Sequence, residues 1–400
     1  MLPIEQVVRE VEEFDCAGRP ALSLYLDTVP PEAGGSLVTQ MTSLLSPLRA
    51  SLNGDHVAAD HLGRSTELVL ARLEALQPSR ALAAFACPDA GFVRVVPLPE
   101  VVGQSAHFGP ELYLARLLAE LDEHERTVVV LLDRARARVF RVFLGQIEEM
   151  AHLERDGRQH RESGSSHQKS LGASGSIRSG YGERNLERRD QWHVRQHLER
   201  TLAAMRPGSD RVLLGGALES VLELVRLLPK RVRDRTRLIS GLSVDASLGA
   251  VLERVLEAQR EAEREEEEEL VDNLNERDRA RTVFGAAAVA EAVSDDRVHT
   301  LVYSSGTAFG GSECGACGWL SPGLAEGACG RCGGVLQPRP EMIECLVARV
   351  RHAGGRVEEV RGPAQKALLR REGLAALLRW VPRATSAMPE HAAGSPARGT

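Results

Sequence analysis

The sequence predicts an α/β protein of three domains, in which mixed sheets are packed with helices and the C-terminal domain carries a zinc-knuckle insertion. The chain has 400 residues, which is too long for one ordinary core and suits two or three domains. Strand-like runs alternate with runs of helical periodicity over most of its length. Four of the seven cysteines form two closely spaced pairs near the C-terminus, which is typical of a metal-binding insertion.

Composition and charge limit the classes of function. The formal net charge of −6 argues against a protein that coats nucleic acid uniformly, although it permits a local basic patch. The N-terminus, MLPIEQVVREVEEFD, has no targeting signal, and no window approaches about 18 uninterrupted apolar residues. We therefore expect a soluble, cytoplasmic protein without a membrane or DNA partner.

Residues 1–105 predict an N-terminal α/β domain. The alternating leucines of ALSLYLDT predict a half-buried strand. Helical periodicity over residues 36–76, interrupted near Asn53, predicts two helices. The segment 81–99 predicts a hairpin that turns at residues 88–91.

Residues 106–245 predict a middle domain. A helix is expected from Pro110 to about Leu121, followed by the strands TVVVLLD, RVFRVFL and QIEEMAHL. After a long loop and a helix, the strand RVLLGGA, a helix over 218–228 and the strand RLISGLSV complete a mixed sheet.

The loop 156–182, hereafter the arm, is rich in Gly, Ser and basic residues and precedes a helix with apolar residues at helical spacing, namely Val194, Leu198, Leu202 and Met205. The arm fits an inert insertion or a flexible segment that enters folded RNA, with cations on phosphates. It lacks both GxxxxGK[ST] and GxGxxG, so a phosphate cradle is disfavoured. The candidate RNA-binding residues are Lys169, Gly172, Ser174, Gly175, Ser176, Arg178, Arg184, Arg188, Arg189 and Arg195.

The helix after the arm has a second interpretation. Acidic residues are interleaved with its arginines, so part of the positive charge can be spent on i,i+4 pairs on a solvated face. Trp192, His193 and His197 can stack on bases or donate hydrogen bonds, or simply cover the surface. A metal site on the two histidines is disfavoured because no glutamate lies between them. No catalytic constellation is found, and we expect no catalytic residues.

Residues 246–281 predict a long connecting helix through the acidic block 261–269. Leu248, Leu252 and Val255 give its first part a core face, but the glutamate run has none. It therefore suggests a solvated connector between domains or, alternatively, an acidic binding surface. A C-terminal α/β domain over 282–380 and a disordered tail over 381–400 complete the chain.

The strongest chemical signal is Cys314-x-x-Cys317, eleven residues, and Cys329-x-x-Cys332, within a predicted knuckle at 312–335. Two tight turns can present four thiolates tetrahedrally to zinc, and the neighbouring Gly315, Gly318, Gly330 and Gly333 permit such turns. Four protein ligands leave no open position for water, so the zinc is expected to be structural. Redox-active dithiols are the alternative.

At this point residues 105–380 resemble the archaeo-eukaryotic peptide-chain release factor and Pelota superfamily, in particular its bacterial members. The segments TVVVLLDRARARVFRVFLGQIEEM, TVFGAAAVAEAVSDDRVHTLVYSSG and GLAALLRW carry the resemblance. It implies a middle domain whose loop reaches the ribosomal peptidyl-transferase centre and a C-terminal domain that contacts a translational GTPase. A four-cysteine knuckle also occurs in members of the superfamily.

The arm departs from the release-factor pattern. Release factors carry a Gly-Gly-Gln triplet in this loop, whereas here the closest matches, residues 172–176 and 179–181, are followed by no glutamine. An Asn-Ile-Lys-Ser stop-codon signature is also missing from the first hundred residues. The expected function is a ribosome-binding factor that fills the A site without hydrolysis, resembling the hibernation branch. A rescue factor that releases peptidyl-tRNA through a diverged loop and a zinc-knuckle interaction protein without a ribosomal role are the alternatives.

Overall fold

The computed structural model describes residues 4–28, 36–52, 54–73, 79–155, 179–206, 211–325 and 327–381, and over 179–190 it describes only the helical backbone. The chain divides into two compact units, Met1–Glu266 and Glu267–Thr400. Within the described ranges, no helix combines the length and apolarity needed to cross a membrane.

The first unit begins with a four-stranded antiparallel sheet. Its elements in chain order are α1 (Ile4–Glu13), β1 (Ala21–Asp27), α2 (Leu37–Ser51), α3 (His56–Leu73), β2 (Ala81–Cys87), β3 (Phe92–Leu98) and β4 (Ser105–Gly109). The strand order is β3-β2-β1-β4. The two predicted helices are confirmed, and the hairpin turns as predicted, with Gly91 at φ 63°.

Strand β1 is buried on both faces, so the prediction of a half-buried strand is wrong. Tyr25 packs with Phe85 in a cluster that includes residues of α1, whereas Leu24 packs on the opposite face with residues of α2 and α3. Leucine alternation predicts one buried face, and the helices on both sides make the other face buried as well.

The next helix, α4 (Ala115–Glu123), starts later than the predicted Pro110. Long-range hydrogen bonds hold the preceding backbone out of the helix. The Tyr113 N–H donates to Ser23 Oγ at 3.0 Å, and the Tyr25 hydroxyl donates to the Tyr113 carbonyl at 2.7 Å. These partners are 90 and 88 residues away, so local periodicity could not reveal them.

A five-stranded mixed sheet follows in the same unit. Its elements are β5 (Thr127–Leu132), β6 (Arg136–Phe143), β7 (Gln146–Glu154), α5 (Ser179–Met205), β8 (Arg211–Gly216), α6 (Leu218–Leu227), α7 (Lys230–Arg233) and β9 (Thr236–Leu238). The order is β7-β6-β5-β8-β9, with β6 antiparallel to its neighbours and β5, β8 and β9 parallel. The three consecutive predicted strands are confirmed, whereas the RLISGLSV strand is limited to the three residues of β9.

Both faces of this sheet are covered. Val128, Val130 and Leu132 point towards α5 and α6, and Val129 and Leu131 point towards α8 (Leu248–Asn275). Strand β5 therefore lies in the centre of two apolar layers.

Helix α8 differs from the prediction in its acidic part. Within the glutamate run Ala262 and Glu263 are buried, and just before it Gln259 Nε2 donates to Thr127 Oγ1 at 2.8 Å. The run therefore has a core face, and the prediction that it lacks one is wrong. At the start of the helix Leu248 is 44% exposed, so the predicted core face begins later, at Val251.

The second unit contains two sheets. Its elements are β10 (Thr282–Phe284), α9 (Ala286–Ser294), β11 (Val298–Ser304), β12 (Gly311–Cys314), β13 (Leu320–Pro322), β14 (Leu336–Arg339), α10 (Met342–His352), β15 (Arg356–Val360), α11 (Gly362–Leu369) and β16 (Leu374–Leu378). The larger sheet has the order β10-β16-β11-β15, with β11 parallel to β15. The smaller sheet, β13-β12-β14, carries the cysteine pairs.

Candidate functional site

The four clustered cysteines of the second unit converge on one point. Their four Sγ atoms lie within 4.8 Å of one another. The Cys314–Cys332 pair is separated by 3.5 Å and the Cys317–Cys329 pair by 3.7 Å. Thiolates arranged tetrahedrally about zinc, with Zn–S of about 2.3 Å, are about 3.8 Å apart. The spacing therefore fits a metal ion, which these four residues can bind.

Two matching turns present the cysteines. The Gly318 N–H donates to the Cys314 carbonyl, and the Gly333 N–H donates to the Cys329 carbonyl, each at 2.8 Å. Gly318 and Gly333 have φ of 70° and 75°, a region that favours glycine. Gly315 and Gly330, which the sequence analysis also predicted to permit the turns, do not adopt this conformation. The requirement for glycine thus falls on the residue after each second cysteine.

Gly334 is a further component that the sequence analysis missed. A Cβ at this position would lie 3.1 Å from Cys314 Sγ and 3.3 Å from Cys332 Sγ. It would also lie 2.8 Å from the Ala316 Cβ. The second glycine of the Cys-Gly-Gly sequence was the available signal, because a side chain there would compete with the sulfur atoms for space.

The thiols of the cluster do not ionise equally. The backbone N–H of Cys317 stabilises the Cys314 thiolate and lowers the pKa of that thiol to about 6. At Cys332 the Gly334 N–H also favours the thiolate, but the neighbouring Cys317 and Cys314 side chains outweigh it and raise the pKa to about 12. A central cation would offset this crowding of negative charge, which is the behaviour expected of a thiolate metal site.

Ion pairs attach the knuckle to the helices of its unit. Glu313 on β12 pairs with Arg339 at 2.6 Å and with Arg349 of α10 at 2.7 Å. Asp295, after α9, pairs with Arg331, between the second two cysteines, at 2.6 Å. The Arg331 hydrogen bond and charge contribute to lowering the Asp295 pKa against the opposing effect of burial. Local sequence patterns could not predict these pairs, because their members are 26 to 36 residues apart.

In the first unit, α5 fastens the arm to the sheet. Leu198 is 4% exposed and Met205 is similarly buried, and both belong to the apolar layer over β5 and β8. Val194 and Leu202 pack against the same layer. The predicted core face of this helix is confirmed, so the C-terminal half of α5 is an apolar root for the arm.

His197 belongs to that root and is only 1% exposed, so its interpretation as a surface residue is wrong. Burial lowers the pKa of its imidazole, and the nearby Arg200 and Arg155 charges lower it further, against the opposing Arg136 carbonyl and Asp133. His197 is therefore held as a neutral core residue. Apolar periodicity could not identify it, because His carries no hydrophobic signal.

The outer face of α5 remains polar. Trp192 is 56% exposed and makes an edge-to-face contact with His193, with ring centroids 4.9 Å apart. Arg195 pairs with Glu199 at 2.9 Å, as the i,i+4 interpretation predicted. The Arg195 charge is thus shared with a neighbour, although its exposed position leaves it accessible.

The remaining predicted RNA-binding residues lie at or beyond the limit of the description. Arg184, Arg188 and Arg189 lie on the described backbone of α5, but their side chains are outside the described residues. Outside the described residues altogether are Lys169, Gly172, Ser174, Gly175, Ser176 and Arg178. Their role stays a prediction.

Ion pairs also brace the strands that lead to the arm. Arg138 on β6 pairs with Glu149 on β7 at 2.7 Å, and the hydrogen bond from Arg138 lowers the Glu149 pKa. Arg136 pairs with Asp245, with Nη2 and Oδ2 2.9 Å apart. The first pair reinforces the hairpin from whose end the arm departs, and the second ties β6 to the segment after β9.

A cavity of about 370 Å³ lies elsewhere in the first unit. It is lined by Glu5, Val8, Arg9, Glu12, Leu121, Glu125, Arg126, Phe143 and Arg235. Its three arginines are matched by three glutamates, and Glu125 already pairs with Arg235 at 3.1 Å. The lining favours no particular charge on a ligand.

Comparison with known proteins shows that the middle of the chain is similar to one protein family. Residues 113–260 match the family model of bacterial archaeo-eukaryotic release factor family 10, a span that includes the arm and its root. No functionally curated protein matches the chain in sequence.

Solved structures that match the chain include an archaeal translation termination factor, aRF1, at 15% identity and a TM-score of 0.25, covering 95% of this chain and 99% of that one. Dom34 of S. cerevisiae, described as a translation termination-like factor that interacts with Hbs1, has 11% identity and a TM-score of 0.40 over 76% and 80% of the two chains. An archaeal Pelota, from a model of its ribosome-bound state with ABCE1, has 12% identity and a TM-score of 0.39 over 94% of each chain. At these identities and scores the likenesses alone support no functional conclusion.

Proposed function

We propose that the chain is a bacterial member of the archaeo-eukaryotic release factor and Pelota superfamily and that it is a ribosome-binding translation factor; the match of residues 113–260 to a bacterial release-factor family model supports this. In this proposal it occupies the A site and brings the arm, residues 156–182, close to the peptidyl-transferase centre. It acts there in the cytoplasm by occupying and protecting the centre.

The observation that carries the proposal is the way the arm is fastened. It follows the end of β7, which forms a hairpin with β6 that the Arg138–Glu149 ion pair reinforces. The chain returns through α5, whose Leu198 and Met205 are buried in the core. A Gly/Ser-rich and basic segment between two firm attachments suits insertion into folded RNA, because glycine permits close backbone approach and cations pair with phosphates.

A non-hydrolytic role follows from the sequence of the arm. Release factors use a Gly-Gly-Gln triplet, and no such triplet occurs in this chain. Residues 172–176 supply glycines and serines without a following glutamine. The arm therefore retains the features for RNA contact and lacks the residue associated with water positioning.

The second unit completes the proposal. We propose that Cys314, Cys317, Cys329 and Cys332 bind structural zinc, since four thiolate ligands leave no position for a reactive water. The zinc would hold together a segment whose single sheet has strands of only three or four residues. Such metal sites contribute on the order of 10 kcal/mol to the free energy of folding. This unit is also the proposed contact for a translational GTPase.

Two experiments test the proposed function. Cosedimentation with bacterial ribosomes should be strong at low salt and should fall steeply as salt rises, because phosphate contacts release counterions. Absence of cosedimentation at low salt would contradict the proposal. Single-turnover release of a labelled peptidyl-tRNA should give no hydrolysis above the ribosome-only background, and a burst of release would instead establish the rescue alternative.

A further inference from the structure

Four exposed cations are concentrated at the end of α6 and in α7. Arg226 lies in the last turn of α6, and Lys230, Arg231 and Arg233 form most of α7. All four side chains are exposed. We call these four residues the basic cluster. They carry four positive charges within eight residues of a chain whose formal net charge is −6.

The cluster is set apart by its lack of internal partners. Across the described ranges, no acidic side chain lies within ion-pair distance of any of its four members. The next two arginines of the same segment behave differently, since Arg235 pairs with Glu125 at 3.1 Å and Arg237 with Glu265 at 2.5 Å. Arg235 and Arg237 therefore have acidic partners within the fold, whereas the four members of the basic cluster have none among the described residues.

The topology puts the cluster at the opposite end of the sheet from Glu154, the last strand residue before the arm. Helix α7 leads into the amino end of β9, which is level with the start of β8 because Thr236 pairs with Val212. The arm leaves after Glu154, which pairs with Arg136 beyond the carboxyl end of β5. The six-residue strands β5 and β8 separate the two positions by about 20 Å at about 3.3 Å per residue.

We propose that the basic cluster is a second RNA-contact surface, which binds the phosphate backbone while the arm contacts RNA at the other end of the sheet. This inference rests on the proposed ribosomal function, which supplies the RNA. Two contacts on one rigid sheet raise the effective concentration of each for its own site and fix the orientation of the domain.

The chemistry of the cluster favours phosphates over an acidic protein. Three of its members are arginines, whose guanidinium groups bind phosphate oxygens in pairs. Of the apolar residues between them, Leu228 is buried and Leu227 and Val232 are half-buried, so Pro229 alone is exposed. A protein interface needs an apolar centre, which this run of residues does not present. Exposed cations without apolar contacts are instead typical of backbone recognition in nucleic acids.

The test compares two full-length variants with the same change in net charge. The cluster variant carries Arg226→Gln, Lys230→Gln, Arg231→Gln and Arg233→Gln. The control variant carries Arg49→Gln, Arg72→Gln, Arg277→Gln and Arg370→Gln, four exposed positions outside the cluster and the arm. Dissociation constants for bacterial ribosomes and for protein-free large-subunit RNA are measured between 50 and 200 mM salt. Circular dichroism verifies that both variants are folded.

If all four cations contact phosphates, the slope of log K against log salt should be shallower by about 3 in the cluster variant on both probes, at about 0.7 to 0.9 per contact. At 50 mM salt the cluster variant should bind at least tenfold more weakly than the control variant. Equal slopes and affinities of the two variants would overturn the inference.

Two other outcomes are also decisive. If the cluster variant weakens only on intact ribosomes and binds protein-free RNA like the control, the cluster contacts a ribosomal protein and the RNA inference is wrong. If the unmodified protein binds neither probe at low salt, the ribosomal proposal fails by itself. In that case binding to a heparin-like polyanion is compared between the unmodified protein and the cluster variant. Equal binding of the two would exclude the basic cluster as a surface for phosphate-type anions.

Discussion

Gly334→Ala should weaken metal binding by the knuckle without removing a ligand. The added methyl group would meet Cys314 Sγ at 3.1 Å, Cys332 Sγ at 3.3 Å and the Ala316 Cβ at 2.8 Å. All three separations are shorter than an ordinary contact, so the sulfur atoms must move by several tenths of an ångström. Gly330→Ala is the matched control, because a Cβ there has no neighbour within 4 Å.

The loss of zinc affinity in Gly334→Ala can be calculated from the energetics of packing. Inserting one methyl group into a filled site costs about 1–3 kcal/mol, and each 1.4 kcal/mol is about a tenfold change in affinity. The zinc affinity of Gly334→Ala should therefore fall by about 5-fold to 100-fold, while Gly330→Ala should bind like the unmodified protein. Competition against a coloured zinc chelator measures both affinities. Equal affinities of the two variants would refute the close-packed geometry assigned to the sulfur atoms.

Three further outcomes are expected. Leu198→Ala should lower the free energy of unfolding by about 2–5 kcal/mol, because it leaves a cavity under α5. Arg195→Ala, at an exposed ion pair, should lower it by less than about 1 kcal/mol. Urea unfolding followed by circular dichroism compares the two variants, and similar losses would disprove the apolar root. Arg211→Ala should lower the free energy of unfolding by about 3–5 kcal/mol, because it removes the cation 3.7 Å from the buried Glu263. Arg134→Ala, whose pair with Glu219 is exposed, should leave that free energy nearly unchanged. The same unfolding assay compares the two variants, and equal losses would contradict the prediction. Burial holds the His197 pKa below its ordinary 6.5, so the unfolded chain binds the proton first as the pH falls. The contribution of neutral His197 to stability is therefore complete above about pH 6.5 and is lost as the pH falls through the folded-state pKa. His197→Leu should reduce the difference in the free energy of unfolding between pH 7.5 and pH 5.5, and an unchanged difference would contradict this prediction.

The sequence predicted those elements whose signals are local. The consecutive runs of β5, β6 and β7, the core face of α5 and the turn at Gly91 were all found by periodicity or turn chemistry. The convergence of the four cysteines was predicted for the same reason, since each pair lies on one turn.

The errors arise where distant residues decide. Ser23 and Tyr25 hold the backbone before α4 through hydrogen bonds at Tyr113, which shortens that helix. Glu263 is buried because Arg211 lies close to it, although a glutamate run ordinarily predicts a solvated face. His197 is buried for a different reason, because the core face of α5 extends beyond the apolar residues of that helix. Ranking a charged residue as surface or interior thus depends on partners that the sequence does not reveal.

The two turns of the knuckle also bear on how readily a metal ion is captured. Each turn is closed by its own backbone hydrogen bond, from Gly318 to Cys314 and from Gly333 to Cys329. The Gly315 N–H also donates to the Val335 carbonyl at 3.1 Å, which joins the first turn to the segment that follows the second. An incoming ion would therefore meet two chelating turns that are already shaped and already linked to each other. Such preorganisation lowers the ordering cost of capturing the ion, because little of the backbone has to be fixed when it binds.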